Sequence, residues 1–227
     1  MDKLVFLDIE STGLDTDTAE IIELCYITED GNRSSKLYKP VSPIPPHVSG
    51  INNIDNVDVE NEEHFQNSSA MYDLRAFAAS GYIAVTHNTE FDLGMLKQFD
   101  INFEREICTC MLAKYLWPTQ IQNHQLGTLR AYLDIPHSGN AHRAEYDVQI
   151  LIEIFSKMRE NHFHSLDEMV EKTRETRAEI DSVWHFGKHY GEKIDVKIHR
   201  SYIEWLLKQP NTNPQLRKKL QKRLQDN

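Results

Sequence analysis

Cysteine is scarce: Cys25, Cys108 and Cys110 are the only three in 227 residues. An odd number cannot all pair, and the Cys-x-Cys spacing of the last two is not that of a zinc knuckle. Reduced, partly buried thiols are therefore expected, and a disulfide scaffold or a cysteine zinc site is not. No segment approaches the roughly 20 consecutive apolar residues that a membrane helix needs. The opening MDKLVFLDIE carries acids at positions 2 and 8, which breaks a secretory leader. A cytoplasmic protein with no membrane partner is expected. Positive charge is also in short supply, the net charge being −10, which argues against a general polyanion coat. That average hides a split. Residues 1–183 hold 15 Lys/Arg against 31 Asp/Glu, net −16, whereas residues 184–227 hold 10 against 4, net +6. Such a basic tail reads either as a solvated helix or as a phosphate-attracting arm.

The length suits one domain with an appendage. KLVFLDI is a buried strand leaving into the turn STG, AEIIELCYIT is a second strand, and SSKLYKPV a third, joined in an antiparallel meander through the tight turn GNR. Pro40, Pro43, Pro45 and Pro46 then forbid regular structure and open a long connection. Beyond it, a helix near residues 68–79 precedes the strand GYIAVTHN, the helix TEFDLGMLKQF, the strand REICTC and the helix MLAKYLWP. Two further helices, HQLGTLRAYLDIP and EYDVQILIEIFSKM, follow, the second strongly apolar at helical spacing. Ser165 with Glu168 three residues on caps a polar helix, the expected connector. Strands first in a meander and then alternating with helices predict an α/β domain, a mixed sheet flanked by helices. The boundaries read as 1–162 for this domain, 163–183 for the connector and 184–227 for a small basic α+β module.

The chemistry gathers at element ends. Asp8 and Glu10 flank Ile9 at the end of the first strand, so both carboxylates face one side while Ile9 faces the core. Asp92 starts the helix after YIAVTHN, and Asp147 lies early in the helix after SGNAHR. An Asp-x-Glu pair alone is common and decides little. Four carboxylates brought together would repel one another unless a cation neutralised them. Oxygen-only ligands suit Mg²⁺ or Mn²⁺, and two such ions about 4 Å apart can clamp a phosphodiester. His142, five positions before Asp147, then has a task, since an imidazole titrating near about 6.5 can take a proton from the attacking water. Its loop, HSGNAH, contains Gly139 and is expected to move to admit a substrate.

The stretches LDIESTGL, HNTEFD and HRAEYD resemble, in order and spacing, the three motifs of the RNase H-like DEDD exonuclease superfamily. Four residues between His142 and Asp147 match its histidine subclass; the tyrosine subclass would need a tyrosine where this chain has Arg143. The resemblance implies an RNase H-like domain with a mostly five-stranded mixed sheet. It implies Asp8, Glu10, Asp92 and Asp147 as ligands of two Mg²⁺ ions, with Mn²⁺ able to substitute, and His142 as general base. It also implies Thr12, Gly13 and Leu14 against the terminal nucleotide, the Leu14 side chain packing on a base, and Asn88 and Phe91 near the scissile nucleotide. Read from the residues alone, Phe91 is equally core packing and Asn88 a hydrogen bonder at a helix entry. The implied activity is release of nucleoside 5′-monophosphates from a 3′ end of DNA, on single strands or duplex ends. RNA is the runner-up substrate, and a non-catalytic nucleic-acid-binding subunit a third reading. EICTCMLAKYLWP, and FGKHYGEKIDVKI with SYIEWLL, extend the likeness to a bacterial DNA exonuclease of this superfamily with a small C-terminal module. One departure stands out: GINNID has Asn52 and Asn53 where many relatives carry a histidine-containing pair, a change expected to touch substrate contacts and leave the metal site alone.

The module has two readings. Turns at Gly187 and Gly191 would bring Lys188 and Lys193 forward, with Trp184, His185, Phe186 and Tyr190 as stacking faces for bases. Alternatively Trp184, Phe186, Tyr202 and Trp205 are the core of a unit too small to fold without them. The helix NPQLRKKLQKRLQ is then the better candidate for phosphate contact, with steep salt dependence.

Overall fold

Alternation along the first strand, β1 (Leu4–Ser11), sets up the two sides of the domain. Leu4 and Phe6 enter one core, and Val5, Leu7 and Ile9 enter the other, so the strand is covered on both faces. The computed structural model describes residues 3–136 and 143–226. β2 (Ile21–Thr28) and β3 (Arg33–Leu37) complete the expected antiparallel meander, with Gly31 at φ +93° in the turn between them. The proline-rich connection is more regular than expected. It carries the short helices α1 (Pro46–Asn52) and α2 (Asn56–Val59), and α1 begins at a proline because the first helical position needs no N–H and has the fixed φ that proline supplies.

Then come α3 (Ser69–Ala79), β4 (Ile83–Thr86), α4 (Thr89–Lys97), β5 (Arg105–Cys108), α5 (Thr109–Leu116), α6 (Leu126–Tyr132) and α7 (Ala144–His162). β4 and β5 lie parallel to β1, giving a five-stranded mixed sheet in the order β3-β2-β1-β4-β5. Met71, Leu74, Leu93 and Leu96 of α3 and α4 fill one face; Leu112, Leu129, Leu151 and Phe155 of α5, α6 and α7 fill the other. Phe155 meets Phe6 edge-on at 5.1 Å. α8 (Leu166–Asp181) starts with the cap expected of it, the Ser165 hydroxyl accepting from the Glu168 N–H at 3.1 Å. Among the described residues no helix is long and apolar enough to cross a membrane.

The chain divides within α8 into two compact units, Met1–Thr176 and Arg177–Asn227. In the second, α9 (Val196–Leu207) and α10 (Pro214–Gln225) enclose Trp184, Ile203, Leu206 and Leu220. The expected β element shrinks to one antiparallel bridge, Val183 with Lys193, because Gly187 (φ +70°) and Gly191 (φ +81°) reverse the chain after too few residues for a ladder. Beneath that turn the Glu192 carboxylate accepts from His189 Nδ1 at 3.0 Å and His199 Nε2 at 3.1 Å. His199 Nδ1 accepts the Asp195 N–H at 3.0 Å, so the ring proton sits on Nε2. The trio is thus a hydrogen-bonded support for the module; a cation on His199 Nε2 would force a proton onto Nδ1, against a backbone donor.

Candidate active site

β1 delivers the first two acids as its alternation requires. Asp8 and Glu10 project from one face while Ile9 is buried, and the pairing register with β2 breaks between Glu10 and Ser11, which turns the chain out just past the second acid. Asp147 enters from the first turn of α7, and one carboxylate oxygen from each of Asp8, Glu10 and Asp147 lies within 4.8 Å of the others. Asp92, in the first turn of α4, is 3% exposed. All four acids line one cleft of about 890 Å³.

Crowding shows in their protonation. Burial raises Asp8 well above the usual carboxylate range, and Asp92, Glu10, Asp147 and Glu23 push it further. Burial, then Asp147 and Glu23, lift Glu10 to about 8. Asp92 rises to about 7, mainly through burial, although backbone hydrogen bonds, including one from Ile9, oppose the rise. Oxygen-only donors under mutual repulsion fit a hard divalent cation.

A stability prediction follows. The folded, metal-free protein holds protons on Glu10 and Asp92 up to about 8 and 7, where the unfolded chain releases them near 4.5 and 3.8. The native state binds more protons in that window, so its stability falls as pH rises from about 4 to about 8. The melting temperature in EDTA should drop across this range, and Mn²⁺ should restore it most at the alkaline end. A flat profile in EDTA would show that Glu10 and Asp92 ionise alike in the folded and the unfolded chain.

Two of the positions expected near the substrate, Asn88 and Phe91, line the cleft. Asn88 precedes α4 with no side-chain cap hydrogen bond and lines the cleft, so it is not spent at the helix entry. Phe91 also lines the cleft while packing against the core of Val5 and Leu7. Thr12, Gly13 and Leu14 lie on the loop after β1, outside the cleft wall. The Thr12 N–H donates to the Glu20 carbonyl and its hydroxyl accepts the Glu20 N–H, both at 2.9 Å; Gly13 accepts from the Ser11 hydroxyl at 2.6 Å; Leu14 is 66% exposed. His142 lies outside the described residues. Among the described residues, His87 and His124 line the cleft, and both are tied to the backbone: His87 donates from Nε2 to the His124 carbonyl at 2.9 Å, and His124 Nε2 meets the Trp117 carbonyl at 3.0 Å. Burial lowers His87 to about 4, leaving it neutral.

Several contributors escaped the sequence reading. Buried Asn52 was expected to leave the metal site alone, yet its side chain acts to lower the Glu10 carboxyl, against the rise that burial causes, while its Oδ1 accepts the Ile54 N–H at 3.1 Å. Lys114 and Arg130 bring cations to the cleft wall. Glu23, 2% exposed and directly opposite Glu10 in the sheet, binds Arg143 through three contacts of 2.9–3.2 Å and accepts the Ala144 N–H at 3.1 Å. This pair seats the start of α7, one turn before Asp147. The available signal was a glutamate inside the apolar run IIELCYIT.

Arg143→Ala would leave Glu23 buried and unpaired beside Glu10. Breaking a buried pair costs about 3–5 kcal/mol, but Arg143 is 44% exposed and water screens it, which reduces the expected loss to roughly 1–3 kcal/mol. Urea unfolding checks this, and adding Glu23→Gln should recover part of the loss.

Residues 5–155 match the exonuclease family of the RNase T type. The chain belongs to that family. The PolC-type DNA polymerase III of Oceanobacillus iheyensis is 27% identical over 88% of this chain, which spans only 14% of that polymerase. Exodeoxyribonuclease 10 of Escherichia coli is 27% identical over 94% of this chain and 95% of its own length. A structure of exonuclease X in complex with 5′ overhanging duplex DNA superimposes with a TM-score of 0.60 at 24% identity, covering 75% of this chain and 99% of that one. The fold of this family member is that of the RNase H-like exonucleases, a five-stranded mixed sheet between helices.

Proposed function

We propose that the chain is a metal-dependent 3′–5′ exonuclease that removes nucleoside 5′-monophosphates from DNA. The observation that carries this reading is the convergence of Asp8, Glu10 and Asp147 within 4.8 Å in a cleft that Asp92 also lines. The four carboxylates would hold two Mg²⁺ ions, with Mn²⁺ able to substitute. When bound, the ions supply Lewis-acid stabilisation of the charge that builds on the phosphate. His142 takes the proton of the attacking water, a role for which His87, neutral with both ring nitrogens engaged, is unsuited. Exposed Leu14, beside Thr12 and Gly13, packs on the terminal base; Asn88 and Phe91 hold the nucleotide being released; Lys114 and Arg130 face the phosphate chain.

In this reading residues 1–162 catalyse, 163–183 connect and 184–227 form an accessory basic module. DNA is favoured because exodeoxyribonuclease 10 aligns along nearly the whole chain, module included. The three cysteines, none of them paired, support a cytoplasmic setting. Comparing kcat/KM on DNA and RNA oligomers of one sequence tests the substrate: DNA should be favoured at least about tenfold, worth roughly 1.4 kcal/mol of transition-state binding. A preference for RNA would transfer the same site to ribonuclease chemistry.

A further inference from the structure

Helix α9 carries two stripes. Val196, His199, Ile203 and Leu206 are buried, whereas Ile198, Tyr202 and Trp205, at helical spacing, line a second stripe in which Ile198 is 73% and Trp205 53% exposed. Trp205 stacks on Tyr202 with ring centroids 5.7 Å apart and planes inclined by 13°, and the Lys188 ammonium lies 5.0 Å from the Tyr202 ring centre. The arrangement is built in. Gly187, at φ +70°, leaves room for the Tyr202 hydroxyl, which would sit 2.1 Å from any Cβ at that position. Of the three tryptophans, Trp117 is 8% and Trp184 1% exposed, so Trp205 alone offers its ring to a partner.

Charge selects that partner. Residues 184–227 carry 10 Lys/Arg against 4 Asp/Glu, while residues 1–183 are net −16 and repel a phosphate chain at a distance. An acidic body that acts on a polyanion needs a cationic surface to capture it, and a flat aromatic ring beside a lysine suits a base with its neighbouring phosphate. We propose that residues 184–227 form a second, single-strand nucleic-acid binding site, in which Trp205, backed by Tyr202, stacks on a base and Lys188 meets the adjoining phosphate. The choice of partner rests on the exonuclease reading above; the experiment does not.

The full-length chain in EDTA, where no hydrolysis occurs, is titrated at low salt with an oligothymidylate of about 20 nucleotides. Saturable quenching of tryptophan fluorescence is expected. In Trp205→Ala the quench should vanish and the dissociation constant from anisotropy of a labelled strand should rise about tenfold, the loss of one stacked base. Trp205→Phe should keep most of the affinity, which separates stacking from a folding defect. With Mg²⁺ present, Trp205→Ala should raise KM for the long strand while leaving kcat, and turnover of a dinucleotide, unchanged. Absence of quenching in the parent protein, or equal affinity of the parent and Trp205→Ala, would overturn the proposal and leave the stripe to a protein partner. Binding through Trp205 without any degradation would sink the exonuclease reading and spare this one.

Discussion

Replacing Asp8 by alanine is expected to lower kcat by roughly 10³–10⁴-fold, since a ligated ion supplies several kcal/mol of transition-state stabilisation and each 1.36 kcal/mol is tenfold in rate. Asp8 is the acid that feels all the others: Asp92, Glu10 and Asp147 each act on it directly. Losing it removes one ligand and also relaxes the repulsion that shapes the remaining three. The same variant should therefore melt at a higher temperature than the parent in EDTA once the pH exceeds the usual carboxylate range, where the folded carboxyl resists ionising and the unfolded one does not. A dead enzyme of raised metal-free stability is the signature of a ligand. Loss of activity together with loss of stability would instead point to a structural acid.

His142→Ala should slow hydrolysis by about 10²-fold or more, the usual contribution of a general base. Mn²⁺ affinity by calorimetry should be unchanged, because the four carboxylates remain. In the parent, kcat/KM should climb with pH as the base loses its proton and then level off. The variant should lose that limb. Near-normal kcat in His142→Ala would refute the assignment, and His87 is a poor understudy, being neutral with both ring nitrogens engaged, Nδ1 by the Thr109 hydroxyl and Nε2 by a carbonyl.

The sheet was legible because β1, β2 and β4 are short, largely apolar runs bounded by turns or polar residues, and because two-residue alternation puts Asp8 and Glu10 on one face whatever else the chain does. What escaped depends on contacts distant in sequence. Nothing local says that Glu23 and Arg143, 120 residues apart, will meet, or that Asn52 will influence Glu10. The small module follows the packing reading only in part: Trp184 is core at 1% exposed, as that reading required, whereas Trp205, which it also placed in the core, is left 53% exposed at the surface. Helical spacing alone could not choose, since aromatic residues serve either purpose. Its expected β element failed on length, the turn between Gly187 and Gly191 leaving room for one bridge.

The central claim, that the four acids and His142 cut DNA from its 3′ end, is tested most directly by following a 5′-labelled single strand with Mg²⁺, beside the Asp8→Ala variant and an RNA strand of the same sequence. A ladder of labelled products shortening from the 3′ end of DNA, absent in the variant, is the predicted result. Undegraded DNA with the parent protein, or an equal ladder with Asp8→Ala, would contradict the account.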